Sequence, residues 1–479
     1  MNLTMLTDLY QINMMYAHYC NGKMDQEVVF DLFYRKNPRN SGYAIAAGLA
    51  QVIEYIENLS FTEDDIKYLK SVHDYEEGFL DKLRSFRFTG EIYAVPEGTV
   101  VFPQEPLLRI KAPIFEAQLI ETALLTIVNH QTLIASKASR VVEAAGDGSV
   151  MEFGLRRAQG PDAGLYGARA AFIGGVGATS NVLAGKKFGI PVKGTHAHAY
   201  VQSYPSEYEA FLAFARIFPQ NALLLVDTYD TLGSGVPNAI RTFKQMKQEL
   251  GDEFKGYGIR LDSGDLAFLS KEVRKMLDEA GFPEAVIVAS SDLDEYLIRE
   301  LKGQGAKIDI WGVGTNLITS KDSPSLGGVY KLVAEEEGGQ LKPKIKISEN
   351  PQKITTPAYK KIVRFYHKHS AKAIVDLIML DDEEIPSNEF VAFDPVNTWK
   401  KKKVHNFVAR ELLVPVFQQG KLVYDIPSLA EIQQYARQEK QRFSAEVRRL
   451  INPHIYHVDL SKKLWHLKNE LLEKARKKN

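Results

Sequence analysis

Three short segments of the chain, ALLLVDTYDT (residues 222–231), YGIRLDSGDL (257–266) and AVIVASSDL (285–293), share one pattern. Each begins with a short apolar run, which is typical of a buried strand. Each run ends in aspartate, serine or threonine, and a stretch with helical spacing follows. Buried strands that alternate with helices indicate parallel βαβ units, with polar side chains at the carboxyl ends of the strands. This pattern predicts the fold of the central part of the chain.

The same pattern extends over about residues 150–335. Seven or eight such units predict an irregular (β/α) barrel, in which the chemistry lies on the loops that follow the strands. A doubly wound open sheet is the alternative, but no Gly-x-Gly-x-x-Gly motif opens the first unit. The further predicted strands are MEFGLRRA (151–158), AFIGGVGATS (171–180), VKGTHAHAY (192–200), IDIWGVGT (308–315) and VYKLV (329–333).

The segments on either side of this region differ from it. Residues 1–22 show helical spacing, Glu27–Tyr34 has the composition of a strand, and prolines divide Glu91–Ile110 into a small antiparallel β unit. Ala117–Ala145 predicts a long amphipathic helix, and Ile426–Lys478 predicts a helical C-terminus.

We therefore predict an α/β protein with three segments, 1–145, 146–340 and 341–479. The middle segment is the irregular (β/α) barrel. The N-terminal and C-terminal segments build an additional mixed α+β domain.

The composition excludes several classes of protein. Lys+Arg and Asp+Glu both number 60, so the 479-residue chain has no overall field that attracts nucleic acid or an anionic membrane. The single cysteine, Cys20, excludes an internal disulfide and a cysteine-rich zinc site, and we expect it in the core. Without a basic leader or a long apolar run, the chain is expected to be cytoplasmic, with no nucleic-acid or membrane partner. The run Lys400–Lys403 is expected to be a solvated loop.

One predicted strand, within Pro191–Tyr200, ends in two histidines. Residues two apart in a strand point to the same side, so His196 and His198 are predicted to share a face. Such a pair is compatible with metal ligands, with catalytic bases or nucleophiles, and with ordinary hydrogen-bonded histidines.

The strand ends together predict one site for a phosphorylated substrate. Small-residue turns let backbone N–H groups reach phosphate oxygens, and arginines bind phosphate or carboxylate in a bidentate manner. Neighbouring carboxylates suit Mg²⁺ or a ribose diol. For single residues a structural role is the alternative: Asp262 or Asp265 as a helix cap, and Arg260 as the ion-pair partner of Asp262. The segments are Glu152–Arg157, Gly174–Asn181, Asp227–Asp230, Arg260–Asp265, Ser290–Ser291 and Gly312–Asn316.

At these residues the sequence closely resembles the nicotinate phosphoribosyltransferases, a branch of the type II phosphoribosyltransferases. The resemblance spans nearly the whole chain. It rests on Thr7–Gln11, Phe153–Ala158, Thr179–Val182, Gly194–His198, Asp227–Asp230, Ile259–Asp265, Gly312–Thr315, Leu326–Lys331 and Asn452–Tyr456.

The resemblance implies an activity in NAD salvage. Members of this family join nicotinate to phosphoribosyl pyrophosphate, release pyrophosphate, require Mg²⁺, and couple the reaction to ATP hydrolysis through a phosphohistidine. The Gly-Thr-x-Ala-His pattern assigns that residue to His198 and leaves His196 at the variable position. Ala199 departs from the serine or glutamate that often follows in the family. The resemblance also implies a homodimer with a shared active site, and it leaves the metal ligands unknown.

The resemblance assigns roles to further residues. The catalytic set is His198, Asp227, Arg260 and Asp262, with Asp227 as the expected acceptor for the second ring nitrogen of His198. Phe153 and Tyr10 are expected to sandwich the pyridine ring, with Tyr10 from a neighbouring subunit. The substrate-binding set is Tyr10, Phe153, Arg156, Ser180, Thr195, Ser290, Gly312, Gly314 and Thr315.

Ser180 bears on the choice of substrate. The related nicotinamide enzymes place an aspartate near this position, where a carboxylate suits an amide and repels nicotinate. The neutral side chains of Ser180 and Asn181 therefore favour nicotinate. The alternatives are a nicotinamide phosphoribosyltransferase and a non-catalytic metabolite-binding barrel.

Overall fold

The computed structural model describes residues 2–350, 353–397 and 399–476. These form two compact units: Met1–Ser136 together with Ser325–Asn479 (unit 1), and Lys137–Pro324 (unit 2). The division into three segments stays a prediction. In the described part of the chain, no helix has the length and apolar character that a membrane crossing requires.

Strands and helices alternate mainly between residues 149 and 318, whereas the strands between residues 328 and 422 follow one another without an intervening α-helix among the described residues. The strands are β1 Glu27–Tyr34, β2 Ala44–Ile45, β3 Glu91–Ala94, β4 Val100–Val101, β5 Leu108–Pro113, β6 Ser149–Glu152, β7 Ala178–Thr179, β8 Leu223–Leu225, β9 Gly258–Leu261, β10 Val286–Ser291, β11 Ile310–Val313, β12 Gly328–Glu337, β13 Gln340–Pro343, β14 Lys360–His367, β15 Ala373–Leu380, β16 Phe390–Phe393, β17 Lys401–Val404, β18 Phe407–Glu411, β19 Val414–Gln418, β20 Lys421–Leu422 and β21 Val458–Leu460.

The helices are α1 Leu9–Cys20, α2 Leu49–Glu57, α3 Glu63–Val72, α4 Glu77–Arg84, α5 Ile114–Leu119, α6 Glu121–Ala145, α7 Pro161–Ile173, α8 Val182–Phe188, α9 His198–Gln202, α10 Glu207–Ile217, α11 Val236–Leu250, α12 Leu266–Glu279, α13 Glu295–Gly303, α14 Thr315–Ile318, α15 Leu429–Gln441, α16 Ala445–Arg448 and α17 Lys462–Arg476.

Unit 2 contains a curled parallel sheet with the strand order β7-β6-β11-β10-β9-β8. Its strands are short and apolar and are followed by helices, as the sequence pattern predicted. Residues 191–196 join its two edges. Val192 forms a parallel bridge with Thr179 of β7, and on the other side the Thr195 hydroxyl group donates to the backbone oxygen of Leu223 in β8. The parallel sheet is thus confirmed, and the irregular barrel is only partly confirmed, since side chains make this second connection.

Two predicted barrel strands are not strands of this sheet. The segment 192–200 contributes only the bridge at Val192, and α9 begins within it. The segment 329–333 belongs to β12 in unit 1, where Tyr330 pairs with Leu32 and stacks on Phe30 at a centroid distance of 4.5 Å. Antiparallel pairing with the buried strand β1, over seven residue pairs, satisfies this segment better than a short barrel strand.

Unit 1 joins the two ends of the chain, as predicted for the additional domain. A seven-stranded sheet has the order β13-β12-β1-β5-β3-β19-β20, in which β19 from the C-terminal segment pairs with β3 from the N-terminal one. A six-stranded sheet has the order β17-β16-β21-β15-β14-β18. One large hydrophobic cluster contains residues of both segments, from Ile12 to Leu464.

Several local predictions for unit 1 need correction. The predicted helix 117–145 is interrupted, because α5 ends at Leu119 and α6 begins at Glu121. The helical C-terminus is interrupted by β21. Cys20 is exposed at the last residue of α1 and lies outside the core.

Three residues of the lysine run, Lys401–Lys403, lie in strand β17 and not in a loop, and Lys400 directly precedes the strand. Its residues alternate between two environments: Lys402 donates to the backbone oxygen of Ile374 at 2.9 Å, and Lys403 pairs with Glu389 at 3.0 Å. These lysines form a strand because they pair with β16, and in a strand Lys402 and Lys403 reach different partners.

Candidate active site

His198 is the first residue of helix α9, so the predicted strand end with two aligned histidines is wrong. Its ring nitrogen Nδ1 lies 3.0 Å from the Thr228 hydroxyl oxygen. Nε2 lies 4.0 Å from Asp227 Oδ1 and 3.9 Å from Asp262 Oδ2. The side chain is 40% exposed. His198 therefore presents an accessible imidazole that faces two carboxylates.

His196 has different surroundings. It is buried against an aromatic cluster, with ring centroids 5.3 Å from Tyr200 and 4.9 Å from Phe214. Its Nε2 accepts a hydrogen bond from the backbone N–H of Leu225 at 3.3 Å. Burial lowers the pKa of His196 to about 4, so the ring is neutral at pH 7. His196 thus helps to join residues 191–196 to β8 and does not share a face with His198.

Asp227 follows β8 and organises the adjacent strand end. Its Oδ2 accepts from the backbone N–H of Asp262 at 2.9 Å and from the Ser263 hydroxyl group at 2.7 Å. Its Oδ1 is buried and has no hydrogen-bond partner among the described residues. The expected hydrogen bond to His198 is not formed at 4.0 Å, and Thr228 instead contacts the imidazole. Thr228 lies in the Asp227–Asp230 motif but was not among the predicted site residues.

Arg260, Asp262 and Ser290 form a closed triangle at the ends of β9 and β10. Arg260 Nε donates to the Ser290 hydroxyl oxygen at 2.7 Å, and Arg260 Nη2 donates to Asp262 Oδ1 at 2.9 Å. Ser290 donates its proton to the same Oδ1. Burial raises the pKa of Asp262, but the Ser290 hydrogen bond and the Arg260 charge outweigh it and hold the pKa below its ordinary value. Asp262 is thus ionised at neutral pH.

A cavity of about 220 Å³ lies beside this triangle. The Arg260 guanidinium group lies 5.9 Å from the centre of the Phe153 ring, and Gly312 lets that ring approach the strand closely. Arg157 and Ser291 also line the cavity; both lie in segments predicted for the site, but neither was assigned a role of its own. Asp292 lines the cavity and was not predicted, because nothing in the sequence distinguishes it from an ordinary loop residue. The lining residues are Phe153, Arg156, Arg157, Arg260, Asp262, Ser290, Ser291, Asp292, Gly312, Gly314 and Thr315.

The remaining predicted residues lie in other surroundings. Thr195 uses its hydroxyl group to bind β8, and Ser180 donates its backbone N–H to Glu152 O at 3.0 Å. Neither lines the cavity. Tyr10 lies on α1 of unit 1 and is 49% exposed. Asp265 caps α12 through the backbone N–H of Phe268, so the alternative role predicted for it is confirmed.

The strand ends of unit 2 therefore combine three arginines, two carboxylates and a glycine-containing turn around one cavity. Arginine forks and backbone N–H groups bind phosphate, and carboxylates bind a diol or Mg²⁺. This fold and this site define an α/β protein with a cavity at the carboxyl ends of parallel strands whose lining suits an anionic, phosphorylated ligand.

Comparison with known families narrows this class. A model of the nicotinate phosphoribosyltransferase (NAPRTase) family matches residues 149–384, and models of the N-terminal and C-terminal domains of nicotinate phosphoribosyltransferase match residues 5–129 and 359–468. The chain belongs to the nicotinate phosphoribosyltransferase family.

Individual relatives agree over nearly the full length. The Bacillus subtilis nicotinate phosphoribosyltransferase is 50% identical, covering 99% of this chain and 96% of the relative. The crystal structure of human nicotinic acid phosphoribosyltransferase is similar with a TM-score of 0.86 and 32% identity, covering 97% of this chain and 99% of that one. A nicotinate-nucleotide pyrophosphorylase from Pyrococcus furiosus shares the fold at a TM-score of 0.70 and 23% identity, covering 92% and 95%.

Proposed function

We propose that the protein is a cytoplasmic, ATP-coupled nicotinate phosphoribosyltransferase of NAD salvage. It makes nicotinate mononucleotide and pyrophosphate from nicotinate and phosphoribosyl pyrophosphate. The observation that carries the proposal is the convergence of His198, Asp227, Asp262 and Arg260 at adjoining strand ends, beside a cavity lined by further arginines.

In the proposed coupling step, His198 accepts the γ-phosphoryl group of ATP. A ring nitrogen attacks phosphorus, the bond to the bridging oxygen breaks, and ADP leaves. The carboxylates of Asp227 and Asp262 both face Nε2, which favours a proton on that nitrogen and leaves the lone pair on Nδ1. In this tautomer the Thr228 hydroxyl group donates to Nδ1 before ATP binds. The hydroxyl group must rotate away from Nδ1 before this nitrogen attacks phosphorus.

In the proposed transfer step, the bond between the ribose carbon and pyrophosphate breaks as the pyridine nitrogen bonds to that carbon. The transition state has oxocarbenium character. The enzyme therefore accelerates the reaction mainly by orienting the pyridine nitrogen and by stabilising the leaving pyrophosphate. Arg156 and Arg260 bind phosphate or the nicotinate carboxylate, and Asp262 binds the ribose. The turn Gly312–Thr315 receives the 5-phosphate. Their positions around one cavity support these roles.

The pyridine ring is proposed to lie between Phe153 and the Tyr10 of a neighbouring subunit in a homodimer. The exposed ring of Tyr10 and the Phe153 ring at the cavity support this arrangement. The loops that carry Ser180 and Thr195 are proposed to lie beside the pyridine base.

Mg²⁺ is proposed to bind at the two aspartates. Asp227 Oδ1 is buried and lacks a partner among the described residues, and Asp262 Oδ2 is directed to the same imidazole. One or two carboxylates together with substrate phosphates are the usual protein site for Mg²⁺. When bound, Mg²⁺ would neutralise phosphate charge.

The substrate is tested by offering nicotinate or nicotinamide with phosphoribosyl pyrophosphate, Mg²⁺ and ATP. Mononucleotide formation is expected with nicotinate, because neutral Ser180 does not repel its carboxylate. Equal or faster turnover of nicotinamide contradicts the assignment, and no turnover of either favours the non-catalytic barrel.

The phosphohistidine is tested by labelling with γ-labelled ATP. His198→Ala is expected to abolish acid-labile labelling, while His196→Ala, if folded by circular dichroism, should still be labelled. If His198→Ala is still labelled and His196→Ala is not, the phosphoryl group is carried by His196, and our assignment to His198 is wrong.

A further inference from the structure

Glu152 is a fully buried carboxylate that the proposed reaction does not use. It is the last residue of β6 and is 0% exposed. One carboxylate oxygen, Oε1, accepts from the backbone N–H of Gly154, and Oε2 accepts from the Thr179 hydroxyl group at 2.6 Å. Burying an ionisable group is costly unless such partners are present.

The two carboxylate oxygens of Glu152 have separate donors. Thr179 Oγ1 accepts from the backbone N–H of Asn181 at 3.0 Å, so its own proton is directed at Glu152. Both carboxylate oxygens therefore act as acceptors in these contacts. Burial raises the pKa of Glu152 above its ordinary value, and the hydrogen bonds from Thr179 and Gly154 oppose this rise only in part.

These contacts connect two loops of the candidate site. The first loop, 153–157, carries Phe153 and Arg156, and the second, 179–181, carries Ser180. The backbone oxygen of Glu152 also accepts from the N–H of Ser180 at 3.0 Å. One residue thus binds three donors on the two loops that the proposed function assigns to the pyridine base.

Two of the proposed contacts of phosphoribosyl pyrophosphate, Arg260 and Asp262, have separate supports. Ser290 and Asp227 hold the carboxyl end of β9, where these two residues lie. Loss of the Glu152 carboxylate would therefore change the distance between the two base-binding loops without removing the supports of β9.

We infer that Glu152 is a positioning residue for the pyridine base: its buried carboxylate fixes the loop of Phe153 against the loop of Ser180. The inference rests on the proposed function, because it names the substrate that these loops receive.

The test compares Glu152→Ala and Glu152→Gln with the parent protein. Glu152→Ala leaves two donors without an acceptor, so KM for nicotinate should rise by about tenfold or more, with KM for phosphoribosyl pyrophosphate within about twofold. Glu152→Gln keeps an acceptor for Gly154 and should show a smaller rise. Glu295→Gln is the matched control, since Glu295 is equally buried in unit 2 but pairs with Arg140 and Lys137. Its ratio of the two KM values should equal that of the parent.

Equal changes in both KM values, or no change in Glu152→Ala, overturn the inference. Hydrogen exchange provides a measurement that needs no turnover: Glu152→Ala should speed exchange at 153–157 and 179–181 but not at 258–261. Unchanged exchange at both loops also overturns it. A parent protein that does not turn over nicotinate contradicts the proposed function instead, and the exchange result then decides whether Glu152 holds the two loops.

Discussion

Two histidines that are two residues apart in the sequence have opposite environments in the structure. His198 begins α9 and is accessible, whereas His196 is buried against aromatic rings and binds the backbone of β8. Spacing alone suggested equivalent residues. The helix that begins at His198 breaks the strand periodicity, and only the family resemblance singled out His198.

The buried imidazole of His196 predicts a pH-dependent stability. Its pKa of about 4 in the folded state lies below the ordinary value of about 6.5, so the unfolded chain binds the proton more readily. The free energy of unfolding should therefore fall as the pH falls from about 6.5 to about 4, by up to about 3 kcal/mol from this group. Urea unfolding at several pH values measures it.

The control is His196→Gln, whose amide can still accept from Leu225 but does not titrate. Its unfolding free energy should depend less steeply on pH in this range than that of the parent protein. An identical slope in both proteins would mean that other groups cause the acid sensitivity.

Ser290 was predicted to bind substrate, but its hydroxyl group is occupied by Arg260 and Asp262 and it is 5% exposed. We predict that Ser290→Ala lowers kcat/KM for phosphoribosyl pyrophosphate by about tenfold to a hundredfold, because both charged neighbours lose a hydrogen bond. Steady-state kinetics at saturating nicotinate measures the effect.

Ser290→Thr keeps the hydroxyl group and should restore most of this activity. Ser149→Ala, at the amino end of β6 in the same sheet, is the matched control and should behave like the parent. Full activity of Ser290→Ala would show that Arg260 and Asp262 hold their positions alone.

At the scale of elements, the close approach of β11 to the loop after β6 decides where the aromatic platform lies. A Cβ atom added at Gly312 would lie 2.7 Å from Phe153 Cδ2. Gly312→Ala should therefore displace the ring and raise KM for nicotinate by about tenfold, since a misplacement of about 1 Å can cost up to about two orders of magnitude in rate. Gly303→Ala in α13, with no atom within 4 Å of its added Cβ, is the control.

The parallel elements of unit 2 were predictable because each strand repeats one pattern. The apolar runs that predict β8, β9 and β10 can be recognised from each segment alone. Because a helix follows each strand, the strands are parallel, and their polar carboxyl ends lie at one edge of the sheet. The segment 329–333 has the same local pattern but pairs with β1, about 300 residues earlier. A partner strand so far away in the sequence cannot be recognised from the residues of the segment itself.

In the candidate site, too, some residues could be predicted from their own segment, and others depend on contacts between distant segments. Arg260, Asp262 and Phe153 could be predicted from their motifs at strand ends, and the cavity contains them. The contact of Thr228 with His198 and the role of Ser290 within the triangle could not, because each depends on how two loops meet. Element type is largely local, whereas hydrogen-bond partners are a property of the assembled sheet.

At the scale of the whole molecule, unit 1 contains a buried ion network. Arg364 is 0% exposed; it donates to both oxygens of Asp376 and to the backbone oxygen of Val100 at 2.7 Å. We predict that Arg364→Leu destabilises the protein by about 3–5 kcal/mol, because Asp376 is left charged and buried. Denaturant unfolding measures this value.

The exposed pair Lys403–Glu389 provides the comparison. Lys403→Leu should change the unfolding free energy by less than about 1 kcal/mol, because water screens the charges. Equal effects at the two positions would show that burial does not set the cost in this protein.

The pairing of β3 with β19 also governs the order of events during synthesis. The complete sequence of unit 2 leaves the ribosome before residues 414–418 exist, so its βαβ units can form while the N-terminal segment still lacks a neighbour for β3. The nascent chain then carries an open strand edge, a known route to aggregation. A stop codon just before Val414 should therefore yield a product that needs chaperones to stay dispersed, even though every residue of the candidate site has been made.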